Sequence, residues 1–356
     1  MKMRRAGRAA ALFLAAGMVM TAVSGCGKKI EEPTEAKAAK IGVVYTTTGL
    51  GDNNFNDMVN SGMEKAKAEL NITYDYSEPS SNGEVVTMLR EFAQTGEYDL
   101  VLALSSDAAS ALEQVAGEYP KQNFTIIDTV VNGDNISSIS KNGADQSFLC
   151  GVLAGYLTTE ESLDRINSDK KIGAVMGVDI PLLNAVVAGF EAGARYANPD
   201  VEVISGVVGS FNDPAKAKEI ADSMYKQGAD IILQGAGGSG MGVFNAAKEC
   251  GGYAMGTGVN QNAISPDEII ATATFELPSI VYEEVKTVVD GTWKSGPKVW
   301  GLREGAVGYS VDGSNVKVPQ EILDKVDAAN KWFIDENIVL PSTTAEVDDW
   351  LSKNVK

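Results

Sequence analysis

The chain has 356 residues, 44% of them hydrophobic and 22% charged, which is the composition of an ordinary globular protein. This length predicts two domains. The formal charge of −18 argues against binding to the phosphate backbone of nucleic acids. The sequence has no histidine, which excludes serine-histidine triads and the histidine-based zinc sites of metalloproteases. Enzymes that use carboxylates, lysine or magnesium remain possible, and so do binding proteins.

Residues 1–25 have the pattern of a secretory signal peptide. The apolar run 9–23 follows four basic residues, Lys2, Arg4, Arg5 and Arg8. The next residues, VSGC at 23–26, resemble the lipobox of bacterial lipoproteins, in which the cysteine is lipid-modified and becomes the first mature residue. We therefore expect an extracytoplasmic protein that is attached to the bacterial membrane only through lipid on Cys26. The alternative is a plain signal peptide in which Cys26 is an incidental thiol.

The segment that begins at Cys26, residues 26–39, is polar beyond the cysteine and lacks apolar periodicity, so we expect a flexible tether. Beyond it no apolar stretch approaches the length needed to span a membrane. Cys150 and Cys250 each lie in a segment that is predicted to be packed. Buried free thiols are the expectation for both, although the sequence does not decide whether they pair.

From residue 40 onward, short runs rich in Val, Ile and Leu alternate with amphipathic segments. The apolar runs predict strands over 41–45, 72–76, 100–104, 124–128, 172–176, 201–208, 231–233, 253–256 and 269–275. The intervening segments predict helices over 55–70, 84–94, 108–118, 148–158, 183–196, 215–227 and 278–289. This alternation favours an α/β fold in which parallel sheets are covered by helices on both faces.

The same order of strand, helix and strand occurs over 41–76 and again over 172–208, which predicts two similar lobes with a cleft between them. Ligands of such folds bind at the carboxyl ends of the strands. One glycine-rich loop, GAGGSG at 235–240, follows a predicted strand and has the letters of a dinucleotide-binding motif. The acidic residue that this motif needs about 20 positions later is missing, so we expect no nucleotide cofactor. The glycines instead predict backbone amides that approach a ligand closely.

The tripeptide Phe-Asn-Asp occurs twice, at 55–57 and at 211–213, each time after a predicted strand and before a predicted helix. An aromatic ring followed by hydrogen-bonding side chains suits a flat polar ligand, which needs a surface for stacking and partners for its edge. Two copies in matching positions predict two aromatic rings that face each other across the cleft. Alternatively, Asp52 or Asn54 caps the helix and Phe55 only packs beside the cap.

Five segments together resemble the basic membrane protein family, the PnrA-like lipoproteins that serve as substrate-binding components of ABC transporters. They are GDNNFND at 51–57, QSFLCGVLAG at 146–155, GSFNDPAKAK at 209–218, GTGV at 256–259 and GLREGAVGY at 301–309. The resemblance implies an α/β, type I periplasmic-binding-protein fold with two lobes joined by crossing strands. It implies an N-terminal lobe (40–144 and 276–300) and a C-terminal lobe (145–275 and 301–318). Beyond them, the sequence pattern of 319–356 predicts a last helix over 319–333 and a polar tail over 337–356 that ends in a short helix. An ABC permease and an ATPase are the implied partners.

The resemblance also implies a site. The best-known members of that family bind purine nucleosides and stack the base between two phenylalanines that match Phe55 and Phe211. Asn56 matches a polar ligand contact, and Gly237 falls where a glycine loop approaches the sugar. The chain departs from the family at four places: Thr46 and Asn260 replace aspartates, Ser110 stands where an aspartate reads the purine edge, and no lysine occurs near 274–276. The candidate ligand-binding residues are Thr46, Phe55, Asn56, Asp57, Ser105, Ser106, Asp107, Ser110, Phe211, Gly237 and Asn260.

These patterns predict a lipid-anchored solute-binding protein of an ABC importer that needs no metal ion or other cofactor. Its expected ligand is a flat aromatic or heterocyclic small molecule, first a purine nucleoside or base, second riboflavin, and third an unrelated solute. The same lobes could instead report a ligand to a membrane receptor. An enzyme that uses Asp52, Asp57, Asp107 and Asp213 is the remaining class, but no metal-spaced cluster accompanies these carboxylates.

Overall fold

The computed structural model describes residues 38–52 and 55–355, and these contain two six-stranded sheets. The N-terminal sheet has the strand order β11-β5-β4-β3-β1-β2, and all its strands are parallel. Its strands are β1 (Ala39–Val44), β2 (Ile72–Ser77), β3 (Leu100–Leu104), β4 (Phe124–Ile127), β5 (Ile136–Lys141) and β11 (Gly296–Trp300).

The C-terminal sheet has the order β12-β10-β9-β8-β6-β7, in which only β12 runs antiparallel to its neighbour β10. Its strands are β6 (Lys171–Met176), β7 (Glu202–Val207), β8 (Ala229–Gly235), β9 (Tyr253–Gly258), β10 (Ile269–Phe275) and β12 (Val307–Ser310). The predicted α/β fold with two parallel-dominated sheets is therefore confirmed.

Helices cover the sheets, and most lie between consecutive strands as the alternating pattern predicts. They are α1 (Phe55–Glu69), α2 (Asn82–Thr95), α3 (Ala109–Glu118), α4 (Gly143–Leu157), α5 (Pro181–Ala197), α6 (Pro214–Lys226), α7 (Met241–Cys250), α8 (Leu277–Val289), α9 (Gln320–Asp335) and α10 (Val347–Asn354). Helix α4 begins five residues before its predicted start, because the Asn142 side chain accepts hydrogen bonds from the backbone N–H groups of Ala144 and Asp145.

Three strands, β5, β11 and β12, were not predicted from the sequence. Strand β5 has the polar sequence ISSISK, yet Ser137 and Ser138 are fully buried within it. The Ser138 hydroxyl exchanges hydrogen bonds with the backbone N–H and C=O of Val131, at 2.9 and 2.8 Å. Because these hydroxyl bonds replace apolar contacts, the strand carries no hydrophobic signature that a search for Val, Ile and Leu could find.

The chain passes between the sheets where β5 leads into α4, where β10 leads into α8, and where β11 leads into β12. At these crossings the backbone N–H of Asn142 donates to the carbonyl of Trp300, at 2.9 Å. The buried Asp145 carboxylate accepts from the backbone N–H of Leu302, at 3.2 Å. The first and third crossings are thus hydrogen-bonded to each other.

The predicted polar tail packs against helices of the C-terminal sheet, and α10 lies where the sequence predicts a short helix at its end. Trp350 of α10 is buried, and its ring centroid lies 6.2 Å from that of Phe148 in α4. Arg195 of α5 forms an ion pair with Asp348, at 2.7 Å. Ile338, Leu340 and Val347 are buried in the same core cluster, so apolar side chains spaced along this polar segment hold it on the fold.

Cys150 and Cys250 are both free. Cys150 is buried as expected, whereas the same expectation is wrong for Cys250, which is exposed at the end of α7. The signal peptide, Cys26 and all but the last two residues of the expected tether lie outside the described residues, and strand β1 already includes Ala39. Within the described ranges, we find no helix with both the length and the apolar character required to cross a membrane.

Candidate functional site

The loop between β1 and α1 is held by the side chain of Asn56. This side chain is fully buried, and its amide nitrogen donates to the carbonyl of Gly49 and to the hydroxyl of Thr48, both at 2.8 Å. Its oxygen accepts from the backbone N–H of Thr46, at 3.1 Å. Asn56 therefore faces the loop, and here it positions Thr46 instead of presenting its own amide to a cleft.

Helix α1 begins at the carboxyl edge of the N-terminal sheet with Phe55. The carboxylate of Asp52 accepts hydrogen bonds from the backbone N–H groups of Asn56 and Asp57, at 3.0 and 3.2 Å, which confirms that Asp52 caps the helix. The Asp57 carboxylate accepts from the backbone N–H of Gly51, at 2.8 Å. Phe55 is half-buried against the core, so part of its ring remains exposed.

Ser105 directly follows strand β3, and its backbone has φ 68° and ψ 166°. This region of conformational space is essentially reserved for glycine, and a side chain there costs about 1–3 kcal/mol. The Ser105 hydroxyl accepts from the backbone N–H of Asp107, at 3.2 Å. Three further predicted site residues, Ser106, Asp107 and Ser110, are exposed on the turn and first helical residues that follow. Ser105 and these three residues together form a short polar surface beside the β1–α1 loop.

Two residues that the sequence reasoning missed lie on the same edge. Asp128 directly follows β4, and its carboxylate forms a 3.1 Å ion pair with the ammonium of Lys141, the last residue of β5. The Lys141 ammonium also lies 4.9 Å from the ring centroid of Phe275, the last residue of β10 in the other sheet. The carboxyl edges of the two sheets therefore meet at this point.

On the C-terminal sheet, Phe211 follows β7 and is 47% exposed. One edge of its ring, formed by Cδ1 and Cε1, lies against the backbone of Gly177, which directly follows β6, so closely that a Cβ at Gly177 would come within 2.5 Å of both atoms. A Cβ at Gly237, which has φ +57°, would lie 3.4 Å from the same Cδ1. Glycine is therefore required at position 177 beside the ring edge, and about half of the Phe211 side chain remains exposed.

The loop that carries Phe211 is fastened by Ser239, which is fully buried in the glycine-rich loop after β8. The Ser239 hydroxyl donates to the carbonyl of Ser210 at 2.9 Å and accepts from the backbone N–H of Asp213 at 2.7 Å. Its backbone N–H donates to the carbonyl of Phe211, at 2.9 Å. The glycine-rich loop thus supports the aromatic residue.

Asn260, the predicted site residue after β9, has its amide nitrogen 3.0 Å from the carbonyl of Asp312 and 3.2 Å from the hydroxyl of Ser310. Its oxygen accepts from the backbone N–H of Asn262, at 3.0 Å. Asn260 is exposed, but these bonds tie it to the segment after β12. Asn260 therefore holds its own loop against the end of β12 and the residues that follow it.

The carboxyl group of Asp145, where the lobes connect, has an altered proton affinity. Burial raises the pKa of Asp145 to about 6, against the smaller opposing effects of the Leu302 N–H and the charge of Arg303. Among the described residues, no group of three His, Cys, Asp or Glu side chains is arranged to hold a metal ion.

Comparison with known proteins agrees with this architecture. Residues 38–343 match the family model described as ABC transporter substrate-binding protein, PnrA-like. The chain belongs to this family. It is 33% identical over 317 residues to an uncharacterized lipoprotein of Pyrococcus abyssi, a match that covers 85% of this chain and 77% of that protein. It is 28% identical to basic membrane protein D of Borreliella burgdorferi, covering 94% and 96% of the two chains.

The fold of this PnrA-like protein is also found in solved structures. A solute-binding protein of an ABC transporter system from Aeropyrum pernix superposes with a TM-score of 0.69 at 25% identity, covering 88% of this chain and 97% of that one. The type I periplasmic solute-binding architecture is therefore established for the chain, as the sequence resemblance implied. Family membership makes it a substrate-binding protein of an ABC transporter.

Proposed function

We propose that the chain is the lipid-anchored receptor of an ABC importer and that it binds a flat heterocyclic solute between Phe55 and Phe211. The ligand we place first is a purine nucleoside or base, and the second is riboflavin. The observation that carries this proposal is the position of the two rings at the carboxyl edges of two sheets, edges that meet where Lys141 contacts Phe275. Ligands of open α/β sheets bind at such edges.

The environment of each ring supports stacking. One edge of the Phe211 ring lies against Gly177, the side chain is 47% exposed, and its loop is fastened by Ser239. Phe55 is fixed at the first turn of α1, where Asp52 caps the helix. Rings held in this way lose little conformational freedom when a base stacks on them, which favours affinity.

The polar side chains near the rings fall into two groups. Asn56 and Asn260 are hydrogen-bonded within their own loops, and we assign them the positioning of backbone. Ser106, Asp107 and Ser110 are exposed after β3, and we assign them contact with the edge of the ligand ring. Lobe closure around the ligand, by rotation at the crossings, would then present the closed form to the permease.

Stacking is tested by titrating guanosine and riboflavin into Phe55→Ala and Phe211→Ala. Each substitution should weaken binding by about 1–3 kcal/mol, the scale of base stacking on an aromatic side chain. Phe211→Tyr is the matched control, because it keeps the aromatic face and should retain most of the affinity. Wild-type affinity in both alanine variants would remove the stacking site.

Lipid attachment is tested by Cys26→Ser. The variant should leave the membrane fraction, because the lipobox resemblance makes this thiol the acceptor of the lipid. Relatives named as lipoproteins support this expectation. Fractionation of cells that express the wild type and the variant gives the answer, and retention of the variant in the membrane fraction would mean another form of attachment.

A further inference from the structure

Two glutamine side chains lie beside the glycine-rich loop that supports Phe211. Gln234 is the penultimate residue of β8 and is 1% exposed, and Gln261 lies in the loop that follows β9. The amide nitrogen of Gln234 donates to the amide oxygen of Gln261, at 2.6 Å. The two amides therefore join the carboxyl ends of the neighbouring strands β8 and β9.

The direction of both amides is set by backbone N–H groups. The oxygen of Gln234 accepts from the backbone N–H of Ala236, at 3.0 Å, so its nitrogen points to Gln261. The oxygen of Gln261 also accepts from the backbone N–H of Thr257, at 3.2 Å. Because an amide nitrogen cannot accept from an N–H group, neither amide can be turned over without the loss of a hydrogen bond.

The Gln234 oxygen contacts the glycine-rich loop at both ends. Besides its hydrogen bond to Ala236, it lies so close to Gly240 that a Cβ there would collide with it. Between these two loop residues lies Ser239, whose backbone N–H donates to the carbonyl of Phe211, at 2.9 Å. The Gln234 amide therefore holds the loop that fastens the aromatic residue.

Gln261 is anchored on its other side to β10 and β12. Its backbone N–H donates to the hydroxyl of Thr272 in β10, at 3.0 Å, and this hydroxyl donates to the side-chain oxygen of Asn262, at 2.8 Å. The Asn262 amide nitrogen donates to the carbonyls of Ser310 and Asp312, both at 2.9 Å. A continuous hydrogen-bonded chain thus runs from the glycine-rich loop to β12, the strand that follows the third crossing.

A polar chain of this kind needs a reason, because Thr272 and Asn262 are fully buried and apolar side chains could fill the same space without desolvation of amides. What hydrogen bonds add is direction, since each bond fixes the geometry of the next. The first Phe-Asn-Asp loop is fastened by its own Asn56. The counterpart Asn212 is exposed, so the second loop takes its support from the neighbouring loops.

We infer that Gln234 and Gln261 are positioning residues, which hold the glycine-rich loop in place so that Phe211 is already in its stacking position when the ligand arrives. This inference rests on the proposed function, because it requires Phe211 to stack on the ligand. Both glutamines act through the aromatic ring and need no contact with the ligand. A ring held in advance loses less conformational freedom on binding, which favours affinity.

The test removes the amides from the full chain, purified from membranes in detergent, and titrates each variant with guanosine and riboflavin. Gln234→Met and Gln261→Met keep the length of the side chain, and each should weaken binding about tenfold because the ring is no longer held in advance. Gln261→Glu retains an accepting oxygen and should bind within about threefold of the wild type. Gln234→Glu loses the donating nitrogen and should bind as weakly as Gln234→Met.

A double-mutant cycle separates positioning from a general loss of stability. In the Phe211→Ala background, Gln261→Met should weaken binding no further, because the ring that Gln261 positions is gone. Hydrogen exchange adds a readout that needs no ligand: amides of 235–241 should exchange faster in Gln261→Met than in the wild type, whereas those of α1 should not change.

Gln122→Met is the matched control. Gln122 is 7% exposed, and its amide nitrogen donates to the carbonyls of Tyr98 and Asn123, both at 3.0 Å, at the amino edge of the N-terminal sheet. This variant loses a comparable buried amide far along the chain from the Phe211 loop, and it should bind both compounds like the wild type.

Wild-type affinity in both methionine variants would overturn this inference and leave the proposed function intact, provided that Phe211→Ala still weakens binding. Additive losses from Gln261→Met and Phe211→Ala would also overturn it, and so would unchanged exchange of 235–241 or an equal loss in Gln122→Met. Unchanged affinity in Phe211→Ala, or failure of the wild type to bind either compound, would overturn the proposed function and this inference with it.

Discussion

The two Phe-Asn-Asp loops share a tripeptide but not a structure. In the first, Asn56 is fully buried and its amide fastens the loop that begins at Thr46. In the second, Asn212 is exposed, and the loop is fastened from outside by Ser239. The aromatic residues differ as well, because Phe55 is half-buried whereas Phe211 rests on glycine and is 47% exposed. The same sequence pattern therefore gives one loop that supports itself and one that depends on a neighbouring loop.

The largest expected effect separates the two asparagines. Asn56→Ala should lower the free energy of unfolding by about 3–4 kcal/mol, because it removes the hydrogen bonds that this fully buried amide makes to Thr46, Thr48 and Gly49. Asn212→Ala is the matched control and should change it by less than about 0.5 kcal/mol, as is usual for exposed positions. Urea unfolding of both variants measures the difference, and equal values would mean that the two loops are stabilised alike.

A second prediction concerns Asp145, where the two lobes are joined. Its pKa in the folded protein, about 6, lies above the ordinary value of 3.8, so the folded state binds the proton more tightly. Stability from this group is present below about pH 4 and is lost as the pH rises through 6. Asp145→Asn should therefore gain roughly 2 kcal/mol relative to wild type between pH 4 and pH 7. Urea unfolding at the two pH values measures this gain, and a constant difference between variant and wild type would contradict the raised pKa.

The smallest expected effect tests the support beneath Phe211. In Gly177→Ala the new methyl group would displace the ring, and binding of the heterocycle should weaken roughly tenfold while the fold persists. Gly117→Ala is the control, since a Cβ there meets no atom within 4 Å. Calorimetric titration measures the affinity of each variant. Unchanged affinity in Gly177→Ala would mean that the close contact between Gly177 and the Phe211 ring is not needed for binding.

Much of this arrangement could be predicted from the sequence, for identifiable reasons. The apolar run 100–104 predicted the bounds of β3 correctly. Because Phe55 lies between a predicted strand and a predicted helix, the sequence also predicted its position at the carboxyl edge of the sheet. The direction of the Asn56 amide could not be predicted, because it depends on how the loop folds back toward Gly49. The pairing of Asp128 with Lys141 was hidden for a similar reason: it requires β5, a strand rich in serine, to lie beside β4.

The most direct test of the account is native mass spectrometry, with an ultraviolet-visible spectrum, of the full chain isolated in detergent from its own membranes. The account predicts a bound small molecule with the mass and absorption of a flat heterocycle, such as a purine nucleoside, a purine base or riboflavin, and this molecule should be lost from the Phe55→Ala, Phe211→Ala double variant. A bound solute without an aromatic ring, such as a free sugar or an amino acid, would contradict the account.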